Sequence, residues 1–416
     1  MSLPEDFTTY TSNLFGADRW QRYLAAFEQP APVSIRVNPF KRCDLTHMPI
    51  ERQVPWCRDA FYLSSRPDFT LDPLLHAGAY YVQEASSMFL DRVMAEHCPD
   101  SMFGKGAMAL DLCAAPGGKS SLLRAALPED VTLFSNEPDR RRANILMENM
   151  QKQGHPNVIV TNNYPKDYNK SGLQFDFILT DVPCSGEGMF RKDEGAIGEW
   201  SLQNVMKCAA LQRSIVEEIW QCLKPGGILV YSTCTFNTHE DEENVRWITE
   251  ELGAELLPVD CDKDWNITGS LLDGWQQPVY RFIPGTTQGE GLFMAVLRKP
   301  TDDASHGGKT DMKKALSRLR ILSDGKPVGT VKGKSVIPAH AEALLTNLQK
   351  DKYPVVELTK EEALHYLHHD AIVLPSDAPR GFVIVTYQSL PLGFVKNIGN
   401  RANNLYPQEW KIKKNI

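Results

Sequence analysis

The stretch AMALDLCAAPGGKS at residues 107–120 decides the fold, because a short apolar run leads into a glycine-rich turn and then into a helical pattern. The runs VTLFSNE (131–137), FDFILTDV (175–182) and ILVYSTCTF (228–236) continue this alternation of strands and helices. Such alternation predicts a mainly parallel sheet covered by helices, with ligands at the carboxyl ends of the strands. We therefore expect an α/β domain, with GLFMAVLRK (291–299) as its last strand.

The length of 416 residues exceeds what one hydrophobic core usually organises. We expect a leading region at 1–105, a central domain at 106–300 and a carboxyl-terminal domain at 301–416. The polar stretch TDDASHGGKTD (301–311) is the expected linker, and MKKALSRLRIL (312–322) is the expected basic helix after it. The last domain has a net charge of +5, against −12 for the preceding residues. This bias suits either a polyanion-binding module or an ordinary solvated surface.

Composition excludes several classes of protein. The chain begins with an acidic segment and has no run of about 18 apolar residues, so we expect a cytoplasmic protein without a membrane span. Its nine cysteines include no C-x-x-C pair. A disulfide framework and a metal site are therefore not expected.

Gly117 and Gly118 stand at the start of the helix that follows the first predicted strand. Glycines there let backbone amides approach a ligand, although a tight turn would use the same residues. Glu137 ends the second strand, 20 residues after Gly117, where a ribose diol would find a hydrogen-bond acceptor. The segment GGKS lacks the first glycine of a phosphate-binding loop. Together these features predict a nucleoside pocket, which S-adenosylmethionine fits because it carries no phosphate.

Two cysteines follow neighbouring strands of the predicted sheet. Cys184 lies in DVPCSGEGMFRKD (181–193) and Cys234 in YSTCTF (231–236). Either cysteine alone could be a packing residue, but the sheet would bring both thiols to one edge. A thiol with a pKa of about 8.5 is intrinsically very nucleophilic. Its addition to carbon 6 of cytosine would make carbon 5 able to accept an activated methyl group.

The motifs DLCAAPGGK (111–119), DVPCSGEG (181–188) and STCT (232–235), in this order, resemble the Nop/Sun family of RNA cytosine-5 methyltransferases. This resemblance covers roughly residues 75–300. VSIRVNPF (33–40) and YYVQEASSM (80–88) are similar to segments that precede the cofactor motif in that family.

The tail segment GFVIVTYQSLPLGFVKNIGNRANNLYP (381–407) resembles the RNA-binding region of the bacterial RsmF branch, which methylates small-subunit ribosomal RNA. The resemblance implies a class I, Rossmann-like S-adenosylmethionine methyltransferase sheet with an N-terminal α+β region and a C-terminal α+β PUA-like domain. Both flanking regions would bind RNA, with ribosomal RNA or the small ribosomal subunit as the partner.

The resemblance also implies roles for individual residues. Cys234 would be the nucleophile, Cys184 would assist product release, and Asp181 would lie near the cytosine edge and the methyl donor. Where the family often has an acidic residue near the adenine, this chain has Asn162 and Asn163, either of which is a candidate substitute. The other residues implied for the cofactor pocket are Cys113, Ala114, Ala115, Pro116, Gly117, Gly118, Lys119 and Glu137, with Asp181 at its edge.

Two further segments have competing interpretations. The acidic cluster HEDEEN (239–244) is predicted to begin a helix, with Thr238 and Asp241 forming a capping box, and is given no chemical role. Phe190 is followed by two cations, so this loop would either stack on RNA or be held by one aromatic anchor.

The leading hypothesis is methylation of carbon 5 of a cytidine in RNA, in 16S ribosomal RNA, through a covalent cysteine–cytosine adduct. One alternative keeps this chemistry but takes transfer RNA as the substrate. Another is methylation of an exocyclic nitrogen or a protein amide, from whose Asn/Asp-Pro-Pro-aromatic motif the sequence DVPC departs. A third is a ribosome-assembly factor that binds RNA without turnover, which the two intact cysteine motifs disfavour.

Overall fold

The computed structural model describes residues 3–301, 311–333, 335–349 and 351–416. Most of the predicted linker at 301–311 lies outside these residues. The leading part contains a four-stranded antiparallel sheet in the order β2-β3-β1-β4. Its elements are α1 (Glu5–Ala26, interrupted at Gly16), β1 (Val33–Val37), β2 (Ile50–Gln53), β3 (Ala60–Leu63), α2 (Pro73–His76), β4 (Tyr80–Val82) and α3 (Leu90–His97).

The central part forms the α/β sheet that the alternating pattern predicts. Its elements are β5 (Met108–Asp111), α4 (Gly118–Ala126), β6 (Thr132–Asn136), α5 (Arg140–Gln153), β7 (Val158–Thr161), α6 (Pro165–Ser171), β8 (Phe175–Asp181), α7 (Glu194–Glu199), α8 (Leu202–Trp220), β9 (Leu223–Thr233), α9 (Glu242–Glu251), β10 (Glu255–Leu257), β11 (Tyr280–Phe282) and β12 (Leu292–Arg298).

Five parallel strands in the order β7-β6-β5-β8-β9 form the middle of this sheet. The strand β12 lies antiparallel beside β9, and β10 and β11 pair with β12. Because β6, β5, β8 and β9 are parallel neighbours, the segments that follow these four strands lie along the same carboxyl edge of the sheet. The cofactor motif and both cysteine motifs follow strands that end there.

The carboxyl-terminal part adds a small mixed sheet in the order β16-β17-β18-β19. Its elements are α10 (Met312–Leu316), β13 (Ile321–Ser323), β14 (Thr330–Lys332), β15 (Ser335–Ile337), α11 (His340–Ala343), β16 (Val355–Glu357), α12 (Lys360–Leu367), β17 (Gly381–Tyr387), β18 (Leu390–Asn397) and β19 (Ala402–Asn404). In the described part of the chain, no helix is long and apolar enough to cross a membrane.

The prediction of one helix over residues 312–322 was wrong. The helix α10 ends at Leu316, and β13 instead pairs antiparallel with β7 at the edge of the central sheet. Asn163 accepts a hydrogen bond from the backbone N–H of Arg320 at 2.9 Å and donates one to its carbonyl oxygen at 3.2 Å. These side-chain bonds hold the Arg320 backbone beside β7. The helix prediction was wrong because local sequence does not reveal a partner so far along the chain.

The helix α1 packs its aromatic side chains against the segments that follow β8 and β9. The rings of Phe7 and Phe190 have centroids 5.0 Å apart, and Phe15 lies 6.0 Å from Phe236. Phe190 is completely buried in this cluster together with Trp200. Of the two interpretations of the loop, the aromatic anchor is therefore correct and stacking of Phe190 on RNA is wrong.

We predict that Phe190→Ala lowers the free energy of unfolding by about 3 to 5 kcal/mol, because it removes a fully buried ring and leaves a cavity. The measurement is equilibrium denaturation in urea. Met206→Ala serves as the control, since Met206 is half exposed on α8 and its loss should cost less than about 0.5 kcal/mol. Equal stability of the two variants would contradict the anchoring role.

Candidate active site

Two free thiols lie side by side at the carboxyl edge of the sheet. Cys184 follows β8 by three residues, and Cys234 directly follows β9. Their Sγ atoms are 3.1 Å apart, and the backbone N–H of Cys234 donates to the Sγ of Cys184 at 3.3 Å. The parallel pairing of Asp181 with Ser232 brings the two strand ends level, so the structure brings together the two cysteines that the sequence predicted.

Glu187 joins the two loops that carry these cysteines. Its buried carboxylate accepts hydrogen bonds from the backbone N–H of Phe236 at 2.6 Å and from the indole N–H of Trp200 at 2.9 Å. The backbone N–H of Gly188 donates to the carbonyl oxygen of Cys234 at 2.8 Å. A Cβ on Gly188 would lie only 3.0 Å from that oxygen, so a side chain there would push the loops apart.

The thiol of Cys184 is held in its protonated form. Its hydrogen bond with the thiol of Cys234 and its burial raise the pKa of Cys184 well above the ordinary value. At neutral pH, Cys184 is therefore a neutral partner for the sulfur beside it.

An ion pair lies beside the thiols. The Nζ of Lys119 and the hydroxyl of Ser232 each donate to Asp181, both at 2.8 Å. Burial alone would lower the pKa of Lys119, but the charge and hydrogen bond of Asp181, together with nearby groups that include Asp111, outweigh this effect and the pKa is raised. Lys119 therefore stays charged, and it links the glycine-rich loop to the end of β8.

The glycine-rich loop is fixed by contacts with the next strand and helix. The backbone N–H of Ala114 donates to the carbonyl oxygen of Asn136 at 2.8 Å, and Arg142 donates to that of Ala115 at 2.9 Å. Gly117 has a φ of 118°, which side chains rarely allow, and it directly precedes α4. This conformation turns the chain into the helix and leaves the amino end of α4 at the carboxyl edge of the sheet.

Glu137 provides a free acceptor where a ribose is expected. Its side chain is buried, and one carboxylate oxygen accepts from the backbone N–H of Asp139 at 3.0 Å. The other oxygen is buried without a hydrogen-bond partner among the described residues, and the guanidinium of Arg142 lies 3.6 Å from it, beyond hydrogen-bond distance. A buried acceptor that lacks a donor is costly, and the hydroxyls of a ribose diol would supply that donor. The site therefore fits the ribose of S-adenosylmethionine.

A mainly apolar cavity of about 370 Å³ lies next to this acceptor, between the end of β5 and helix α8. Its walls include Cys113, Pro138 and Pro183, and Tyr164 and Ile215 from elements whose part in the pocket was not predicted. Flat apolar walls of this kind suit an adenine ring. Burial raises the pKa of Cys113, so its thiol lines the cavity in neutral form.

Asn162 and Asn163 do not line this cavity. Asn162 donates to the carbonyl oxygens of Glu137 and Pro138 at 2.8 and 2.9 Å, and the amide of Asn163 binds the Arg320 backbone. Both side chains thus hold the backbone around the pocket. In the described part of the chain, no group of His, Cys, Asp or Glu side chains is arranged to hold a metal ion.

The acidic cluster at 239–244 supports the cysteine loops, and the predicted capping box was wrong. The hydroxyl of Thr238 contacts Tyr10 and Glu243 and does not cap the helix. Asp241 instead accepts a hydrogen bond at 2.6 Å from the hydroxyl of Thr233, the residue that precedes Cys234. Asp241 is drawn inward because it also binds the buried guanidinium of Arg281 at 2.9 Å.

Glu240 holds the other cysteine loop. It accepts from the backbone N–H of Ser185 at 3.0 Å and from Gln212 at 2.7 Å. Burial raises the pKa of Glu240 to about 7. Sequence reasoning missed Glu187, Glu240 and Asp241 as supports of the site. For Glu240 and Asp241, the available signal was the run of four acidic residues at 240–243, which exceeds what a helix start requires.

Together, the parallel sheet, the buried acceptor after β6 and the paired residues after β8 and β9 indicate an S-adenosylmethionine-dependent methyltransferase. Three family models match the chain. They are described as 16S rRNA methyltransferase RsmB/F (residues 104–298), the N-terminal domain of 16S rRNA methyltransferase RsmF (residues 3–85) and the methyltransferase RsmF PUA domain (residues 353–412).

The chain is 30% identical to ribosomal RNA small subunit methyltransferase F of Aliivibrio fischeri, over 93% of each protein. It is 29% identical to the same-named protein of Escherichia coli, over 93% of this chain and 92% of that one. The chain therefore belongs to the ribosomal RNA small subunit methyltransferase F family, and its methyl donor is S-adenosylmethionine.

Solved structures agree with this fold. A methyltransferase homologue from Pyrococcus horikoshii is 28% identical and has a TM-score of 0.58, over 71% of this chain and all of that one. NSun6 from the same organism, solved with SFG, is 20% identical with a TM-score of 0.60, over 72% of this chain and 99% of that one. At 20% identity, the similarity to NSun6 shows that the two proteins share a fold and no more than that.

We predict that Glu137→Ala weakens S-adenosylmethionine binding by about 5- to 150-fold, because one buried charged acceptor is lost, at roughly 1 to 3 kcal/mol. Isothermal titration calorimetry measures the change. Glu148→Ala is the matched control, since Glu148 lies on α5 and pairs only with Lys152 at 2.6 Å among the described residues. Wild-type affinity in Glu137→Ala would exclude Glu137 as a ribose ligand.

Proposed function

We propose that this protein methylates carbon 5 of a cytidine in 16S ribosomal RNA through a temporary covalent bond between Cys234 and the base. The observation that carries the proposal is the pair of free thiols 3.1 Å apart, beside the ion pair of Asp181 and Lys119. Methylation of an oxygen or an exocyclic nitrogen requires no nucleophilic thiol, whereas methylation of carbon 5 of cytosine does, because that carbon is a poor nucleophile until a thiolate adds to carbon 6.

The proposed chemistry divides among the residues of the site. The Sγ of Cys234, as thiolate, adds to carbon 6 of cytosine, which makes carbon 5 nucleophilic. S-adenosylmethionine would supply an electrophilic methyl group, which becomes bonded to carbon 5 as its bond to the sulfonium sulfur breaks, so that S-adenosylhomocysteine is left. A base or water then takes the proton from carbon 5, and the electron pair of that C–H bond re-forms the double bond between carbons 5 and 6. The bond between Sγ and carbon 6 breaks with its electron pair going to Sγ, which restores the aromatic ring.

The different surroundings of the two sulfurs support the assignment of their roles. The raised pKa of Cys184 keeps its thiol protonated, so Cys184 is not the sulfur that attacks the ring as thiolate. Its Sγ lies 3.1 Å from the Sγ of Cys234, where its S–H can donate to that sulfur as the bond to carbon 6 breaks. Asp181 is fixed by Lys119 and Ser232, so its carboxylate has one orientation in which to meet the polar edge of the cytosine. We assign Asp181 to that edge and Cys184 to the elimination step.

The cofactor would be held by the loop from Cys113 to Lys119, by Glu137 at its ribose and by the apolar cavity at its adenine. The orphaned oxygen of Glu137 supports this arrangement. The target base has to leave its stack before the thiol can reach it, at a cost of a few kcal/mol.

Small-subunit ribosomal RNA is favoured over transfer RNA because the relatives along nearly the whole chain carry that substrate in their names. We propose that the protein acts in the cytoplasm. We also propose that residues 1–105 and 301–416 bind the RNA on either side of the catalytic part, and the PUA family match over residues 353–412 supports the second of these.

We predict that Cys184→Ala accumulates a denaturant-stable protein–RNA adduct, whereas Cys234→Ala forms neither adduct nor product. Without Cys184 the elimination step slows after the Sγ bond has formed, and without Cys234 that bond cannot form. The measurement is denaturing gel electrophoresis after incubation with S-adenosylmethionine and unmodified 16S ribosomal RNA transcript, with mapping of 5-methylcytidine.

Cys222→Ala is the control, because Cys222 is a buried free cysteine at the opposite end of β9. It should methylate as the wild type does. Adduct formation by Cys234→Ala, or full turnover by this variant, would refute the assignment of the nucleophile.

A further inference from the structure

A second and larger cleft, of about 1020 Å³, lies between the leading region and the loop at residues 285–289. Its other walls are residues 29–34, residues 63–66 and the pair Arg191 and Lys192. It is separate from the cavity beside Cys113, with which it shares no lining residue. Its volume is at the upper end of the range for ligand-binding clefts, about 300 to 1000 Å³.

The walls of this cleft are fixed by tertiary contacts. The hydroxyl of Tyr62 donates to the carbonyl oxygen of Gln288 at 2.7 Å, and Glu84 accepts from the backbone N–H of Glu290 at 3.0 Å. Gly285 packs so closely on α1 that a Cβ would lie 2.2 Å from the carbonyl oxygen of Arg22. The cleft is therefore formed before any ligand binds.

Two walls of the cleft extend to segments at the catalytic edge. The loop that forms one wall runs on to Gly291, and a Cβ on Gly188 would lie 3.0 Å from the carbonyl oxygens of both Gly291 and Cys234. On the opposite wall, Gln83 lies 3.4 Å from the position of a Cβ on Gly118 in the cofactor motif. A chain lying in the cleft would pass between these two groups of residues.

Some charged side chains of the cleft are already held by hydrogen bonds within the protein, and others are not. Arg191 donates to Glu290 at 2.7 Å and to the carbonyl oxygen of Gln29 at 2.9 Å, so its guanidinium holds the wall together. Glu84 is likewise satisfied by hydrogen bonds from the backbone N–H groups of residues 86 and 87.

Arg66 and Lys192 are exposed, and neither forms an ion pair with any residue that the structure describes. Arg66 lies over the ring of Phe69 at 5.5 Å, which orients its guanidinium, and Lys192 follows the buried anchor at Phe190. Lys192 acts electrostatically on Glu290, but Arg191 forms the close ion pair with that carboxylate. Two exposed cations outside any close ion pair suit the phosphates of a polyanion.

We infer that this cleft binds the single-stranded RNA next to the target cytidine, with Arg66 and Lys192 as phosphate contacts. The inference rests on the proposed function for the identity of the polyanion. In this view, residues of the leading region and of the Cys184 loop bind and orient the RNA strand, in addition to the carboxyl-terminal domain.

The test measures binding of a fluorescent single-stranded cytidine dodecamer between 50 and 300 mM salt, using Arg66→Gln, Lys192→Gln and the double variant. Each lost contact should reduce the slope of log affinity against log salt by about 0.7 and weaken binding about fivefold at 0.1 M salt. The affinity for S-adenosylmethionine should stay unchanged, because neither residue lines the cofactor cavity.

Lys105→Gln is the control, since Lys105 is an exposed cation ahead of β5, at the opposite edge of the sheet. Wild-type affinity and salt slope in the double variant, an equal loss in Lys105→Gln, or no measurable binding by the wild type would each overturn the inference. The adduct assay with Cys184→Ala separates the two proposals. If no adduct forms while the cleft variants lose binding, the cleft is correct and the methylation chemistry is not.

Discussion

The structure of the site depends on the buried carboxylate of Glu187, which lies in the Cys184 loop and accepts hydrogen bonds from the Cys234 loop. A carboxylate withdrawn from water is tolerated only when donors surround it, and here Trp200, Phe236 and Asn237 all donate to it. The same interaction that compensates its desolvation therefore fixes the separation of Cys184 and Cys234. The aromatic packing of α1 then keeps water away from these hydrogen bonds, which strengthens them.

A second buried network supports β9 from the other side. Arg281 is fully buried and pairs with both Asp241 and Glu242 at 2.6 to 2.9 Å. Replacing such a network by apolar residues is often neutral for stability, whereas removing one member leaves an uncompensated charge. Its consequence here is geometric, because Asp241 also accepts from Thr233 and so fixes the residue that precedes Cys234.

The sequence predicted the main strands of the central sheet well, since apolar runs such as 175–182 and 228–236 are buried on both faces and leave a clear pattern. It also predicted that Glu137 and both cysteines lie at the carboxyl edge of the sheet, because residues at the ends of parallel strands converge whatever the details of packing. It could not locate β13 or the role of the cluster at 239–244. Those features depend on partners far along the chain, Asn163 for Arg320 and Arg281 for Asp241. Similarly, the burial of Phe190 depends on Phe7, which local sequence around the loop does not reveal.

The antiparallel pairing of β13 with β7 has a consequence for biosynthesis. The strand β7 is fully synthesised at residue 161, but β13, which pairs with its free edge, begins 160 residues later in the chain. At 5 to 20 residues per second, that edge stays uncovered for roughly 8 to 32 s on every translating ribosome. During this interval the nascent chain presents an open ladder of backbone groups to its neighbours. The strand Ile321–Ser323 thus covers the side edge of the sheet long after the strands that carry the active site have been synthesised.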